Sequence, residues 1–111
     1  MNVATSNRVA LLRQKLGVTQ KVIARILGVT ERTYIDLEAG RPLSEGIGRR
    51  VTELSRLQRE LSKIVQLKSI GRWLIEPNDA FDGDAPADLI AKGKVDLLWR
   101  MIYELRSGVA S

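Results

Sequence analysis

The chain has 111 residues, 44% hydrophobic and 28% charged, which is enough apolar content for one domain or two small helical units sharing a core. Neither Cys nor His occurs, so thiolate and imidazole metal sites, disulfides and any His-based triad or general base are excluded. The net charge of +5 is unevenly spread: residues 1–68 carry +7 and residues 69–111 carry −2, a basic half suited to phosphate joined to a mildly acidic half with a different partner.

The periodicity is helical almost throughout, so the fold class is all-α. Ser6 can cap a first helix carrying Val9, Leu12, Arg13 and Leu16, closed by Gly17. Thr19 caps a second helix with Val22, Ile23, Ile26 and Leu27 inward and Gly28 at its end. Thr30 caps a third, running through Tyr34 and Leu37 to Gly40. Arg41-Pro42 breaks the chain, and Ser44 opens a long helix to about Lys68. Its stripe Ile47, Val51, Leu54, Leu57, Leu61, Ile64 steps by three and four, and fits either core packing or a dimer seam. A short helical segment at Arg72–Ile75 precedes a loop rich in turn formers, from Glu76 to Ala85. Pro86 starts a short helix ending at Gly93, and a last helix spans Val95–Ser107 with Gly108 beyond it.

The segment from Thr19 to Gly40 has the spacing two closely crossed short helices require. Ala24 is small at the crossing, Gly28 admits the positive φ of the turn, Val29 plugs the corner and Thr30 caps the next helix. These residues resemble the helix-turn-helix of lambda-type and Xre repressors, over roughly residues 6–41 and including the closing Glu38-Ala39-Gly40. The resemblance implies that Arg13 and Glu38 form an interhelical pair and that Gln20 meets a phosphate. It also implies that Thr30, Glu31, Arg32, Thr33 and Asp36 face bases, with Arg41 beyond the helix completing the DNA-binding set. Arg32 suits guanine, Thr33 a phosphate or thymine methyl, and Glu31 the cytosine amino group. Glu31 and Asp36 would repel phosphate, however, and Ile35 is apolar where an exposed residue is expected.

Residues 72–108 contain Trp73, Pro77-Asn78, Phe81, Gly83, Pro86, Leu89-Ile90, Gly93 and an amphipathic last helix. Pro77, Gly83, Pro86 and Gly93 read first as turn and cap residues, Asn78 as bonding to its own loop, and Trp73 and Phe81 as core anchors. The pattern is similar to the C-terminal domain of MbcA/ParS/Xre antitoxins. That resemblance implies a division into residues 1–68, a DNA-binding region with its connecting helix, and 69–111, a toxin-binding unit. It further implies a RES-domain, NAD-consuming toxin as partner and autorepression of the operon.

In the last helix, at about 100° per residue, the apolar side chains span an arc of roughly 240°, more than one core contact uses. The Val95–Leu98–Ile102–Leu105 stripe is expected to serve the fold, and the remainder to meet a toxin or a second copy of the chain. Trp99, Arg100, Tyr103 and Arg106, with Phe81, form the expected toxin-binding set. No apolar run approaches the ~20 residues of a membrane span, and no signal-peptide core is present, so a cytoplasmic protein without membrane contact, cofactor or metal is expected. The leading expectation is a non-enzymatic antitoxin, acting as a dimer on operator DNA. The alternatives are a free-standing dimeric repressor and a protein-binding adaptor that no longer binds DNA.

Overall fold

The structure, a computed structural model, describes residues 3–65 and 67–108. Its helices are α1 (Val3–Leu16), α2 (Gln20–Leu27), α3 (Glu31–Glu38), α4 (Glu45–Leu61), α5 (Leu67–Ile75), α6 (Pro86–Ala91) and α7 (Val95–Ser107), with one 3-10 turn at Asp79–Phe81. No strand occurs among the described residues, and the all-α expectation holds.

The expected caps form where short polar side chains precede helical runs. Thr19 Oγ1 accepts from the Val22 N–H at 3.2 Å, Thr30 Oγ1 from Thr33 at 3.1 Å and Ser44 Oγ from Ile47 at 3.2 Å. α1 begins at Val3, ahead of Ser6, so Ser6 does not start it; the Ser6 side chain lies outside the described residues. Gly28 takes φ +75°, and its missing side chain leaves room for the Arg50 guanidinium, which donates to the Leu27 carbonyl at 2.6 Å. α4 is thereby fastened to the end of α2.

The long helix is shorter than its stripe implied. α4 ends at Leu61, and the Leu61 carbonyl accepts from both Ile64 (3.0 Å) and Val65 (2.7 Å), which tightens the last turn. Ile64 therefore lies past the helix and is exposed, and Lys68 belongs to α5. No Gly or Pro marks this break. The turn instead lets α5 come back across α1, where Gly71 rests on the Gly17 backbone.

One continuous core runs through the molecule, from Val9, Leu16, Ile23 and Leu37 through Leu57 and Leu61 to Ile70, Leu89, Leu98 and Ile102. α2 packs on both α3 and α6, and Arg25 Nη2 meets Asp88 Oδ1 at 2.7 Å across the latter contact. The helix-turn-helix and the C-terminal helices thus share their interior. Asn78 turns inward as expected of a loop residue: its Oδ1 accepts from the Ala80 N–H at 2.9 Å. Among the described residues no helix is long and apolar enough to cross a membrane.

Candidate DNA-reading helix and partner-docking face

A four-residue network orients α3. Arg13 Nε lies 2.6 Å from Glu38 Oε1, the Tyr34 hydroxyl donates to the same oxygen at 2.6 Å, and Gln20 Nε2 donates to Oε2 at 3.2 Å. The Tyr34 oxygen is also 3.0 Å from the Val9 carbonyl, and its ring is fully buried. Burial pulls the Glu38 carboxyl upward, but hydrogen bonds from Arg13, Tyr34 and Gln20 outweigh it and hold the group below the ordinary range. Burial first, and then the hydrogen bond to Glu38, push the Tyr34 phenol well up. Three helices meet at one carboxylate, so the angle of α3 is fixed from behind. Gln20, expected to meet phosphate, has its amide turned to Glu38, and any DNA contact uses the remaining N–H.

Tyr34 and Leu37 are buried under α3, which turns Arg32, Ile35 and Asp36 outward. Thr30 and Thr33 lie at its N-terminal edge with their hydroxyls 3.0 Å apart. Arg32 Nε is 3.6 Å from Asp36 Oδ1, a loose pair with the Arg32 side chain 84% exposed. Glu31 and Arg41 are exposed, and the Arg41 N–H closes the end of α3 on the Asp36 carbonyl at 3.0 Å. The expected reading set therefore presents two cations, Arg32 and Arg41, and two acids, Glu31 and Asp36. Ile35 is exposed among them.

The expected toxin-binding residues divide between two sides of α7. Trp99, Tyr103 and Arg106 line a groove of about 880 Å³ between α4 and α7, opposite Arg56, Arg59 and Lys63. Arg100 faces a smaller groove of about 330 Å³ beside Asp82 and Asp84. Phe81 is placed differently from the α7 residues. It is mostly buried and meets Trp73 edge to face at 6.5 Å between ring centres, so it chiefly anchors the loop and only its edge lines the groove beside Arg100.

Leu105, assigned to the core stripe, is exposed, because only Leu98 and Ile102 reach the interior fully. Trp99 packs partly against the core, whereas the Tyr103 ring is 72% exposed. Arg106 Nη1 pairs with Glu60 Oε2 at 2.9 Å and links the two walls of the groove. Arg56, Arg59 and Lys63 were absent from the sequence-derived sets. Arg56 and Arg59 lie one turn apart on α4 and Lys63 just past its end, and what the sequence does not show is that α7 packs alongside them.

Comparison with known proteins adds to this geometry. A helix-turn-helix family model matches residues 9–47. The mycobacterial cidal antitoxins MbcA of Mycobacterium bovis and Mycobacterium tuberculosis are each 23% identical over 97 residues, covering 86% of this chain and 86% of theirs. In the crystal structure of the M. tuberculosis MbcT–MbcA toxin–antitoxin complex, one chain superposes with a TM-score of 0.76 at 21% identity, covering 98% of both chains. The resemblance to Xre/MbcA-type antitoxins holds. The sequence likeness runs well past the helix-turn-helix, and the shared fold extends from α1 to α7.

Proposed function

We propose that this chain is the antitoxin of a toxin–antitoxin pair, a binding protein and not an enzyme. Residues 69–111 engage and neutralise a RES-domain, NAD-consuming toxin, principally through Trp99, Tyr103 and Arg106 on α7. Residues 1–68 bring α3 to operator DNA, where Thr30, Arg32 and Thr33 contact base edges and phosphate and the protein represses its own operon. A homodimer supplies the two reading heads that paired half-sites need, and the setting is the cytoplasm.

The observation that carries this reading is the end-to-end likeness to MbcA: the helix-turn-helix and the C-terminal helices are retained together, in one fold with one core. The balanced charge of α3, with Glu31 and Asp36 beside Arg32, favours a second reading in which the chain acts on the toxin but has lost DNA.

Co-expression with the product of the neighbouring reading frame tests the proposal. Growth arrest by that product alone, rescue by this chain and recovery of both in one complex are expected. Arrest without rescue, or no complex, would refute it. Rescue without salt-dependent binding to the upstream DNA would establish the adaptor reading instead.

A further inference from the structure

The positive charge of this molecule is concentrated away from the reading helix. The α4–α7 groove is lined by four cations, Arg56, Arg59, Lys63 and Arg106, and one carboxylate, Glu60. Glu60 is already paired with Lys63 at 3.2 Å and Arg106 at 2.9 Å. Arg56 and Arg59 are exposed and make no ion pair among the described residues. Between these cations and the α7 wall lie Trp99 and Ile102, with the exposed ring of Tyr103 at the rim. Arg56 also borders a second groove with Arg8, Arg49 and Arg50, so the cationic strip continues along α4.

We propose that the α4–α7 groove docks an acidic segment of the protein partner, with carboxylates on Arg56 and Arg59 and an apolar side chain against Trp99 and Tyr103. This deepens the antitoxin reading and rests on it, and it assigns part of the toxin contact to the half of the chain otherwise given to DNA. The charge pattern selects protein over nucleic acid. Glu45, Glu53 and Glu60 recur along the same strip, and Glu45 is paired with Arg49 at 3.4 Å. These carboxylates interrupt the cations about every two turns of α4, so an evenly charged phosphate backbone would have to pass each of them, whereas a folded acidic surface can place its carboxylates between them. Arg, Trp and Tyr side by side are also the composition that concentrates binding energy at protein interfaces.

The test uses the full chain and its R56E/R59E variant, with circular dichroism melting to confirm that the fold is kept. Two probes are titrated: the product of the adjacent toxin gene, and a fluorescein-labelled glutamate-rich peptide with one central leucine. The charge reversal is expected to weaken both by roughly tenfold or more, with R56K/R59K retaining most of the affinity. Toxin binding unchanged by the reversal would overturn the proposal while leaving the antitoxin reading intact. If the wild-type chain does not bind the toxin, the antitoxin reading fails, and the peptide alone decides: reversal-sensitive binding upholds the groove, and absent or insensitive binding overturns it. A single-stranded oligonucleotide that binds the wild-type groove more tightly than the peptide, and is lost on reversal, would also overturn it, by showing a nucleic-acid track.

Discussion

Gly71 of α5 lies directly on the backbone of Gly17 at the end of α1. A Cβ on Gly71 would come 2.8 Å from the Gly17 carbonyl carbon and nearer still to its oxygen, closer than real Cβ atoms approach, with the Leu16 carbonyl oxygen a tight 3.0 Å away. The obstacle is backbone, so no rotamer change relieves it. This contact joins α1, the first helix of the molecule, to α5, which follows the break after Leu61.

Gly71→Ala should therefore destabilise the protein by about 1–3 kcal/mol, as overpacking does, read as a lower urea midpoint at unchanged slope. Gly48→Ala is the control: nothing lies within 4 Å of its Cβ, and it sits in a helix, so it should be neutral or stabilising by up to ~1 kcal/mol. Equal effects of the two substitutions would contradict the close contact.

Glu38→Gln should weaken the three-helix junction by about 2 kcal/mol at neutral pH. The value is below the 3–5 kcal/mol of a fully buried pair because the Arg13 and Glu38 side chains are 28% and 17% exposed and solvent screens them. Folding holds the carboxyl below its ordinary value of 4.5, so its contribution is complete above that pH and is lost as pH falls through the depressed folded value. The gap in melting temperature between the wild type and Glu38→Gln should narrow below about pH 4.5, where the unfolded carboxyl protonates. A gap that is constant down to pH 2 would show that Glu38 contributes by shape and not by charge.

For DNA, Arg32→Ala should weaken operator binding and relax base preference at one position by about 1–3 kcal/mol. Asp36→Asn should instead strengthen binding to every sequence, because it removes a carboxylate that lies 3.6 Å from Arg32 and would repel phosphate. Electrophoretic mobility shifts on operator and scrambled duplexes separate the two effects.

On α7, Trp99 and Tyr103 should part company. Trp99→Ala removes area packed against the core and should lower the melting temperature, whereas Tyr103→Ala, at a ring 72% exposed, should leave it within about 1 °C of wild type. Matching thermal losses would place Tyr103 in the core as well.

Much of the architecture was readable because local chemistry and tertiary packing agree. Thr19, Thr30 and Ser44 cap as short polar residues before helical runs must, and Gly28 turns where a left-handed residue is needed. The break after Leu61 was not readable. Ser62, Lys63, Ile64 and Val65 are compatible with a continuing helix, and the break coincides with the return of α5 onto Gly17, a long-range contact without a local signal. The α4–α7 groove was hidden too, because nothing local shows that α7 packs alongside α4. In the last helix, periodicity identified an oversized apolar arc but not its allocation: Leu105 points out while Trp99 folds in.

Growth rescue by Tyr103→Ala/Arg106→Ala in cells expressing the neighbouring toxin gene measures most directly whether α7 is the neutralising face. Arg106 is 55% exposed and its pair with Glu60 contributes no more than about 1 kcal/mol, so the doubly substituted chain should melt near wild type. Loss of rescue with retained operator binding and an unchanged melt is the expected result. Full rescue by the same folded variant would contradict the assignment of α7 to the toxin.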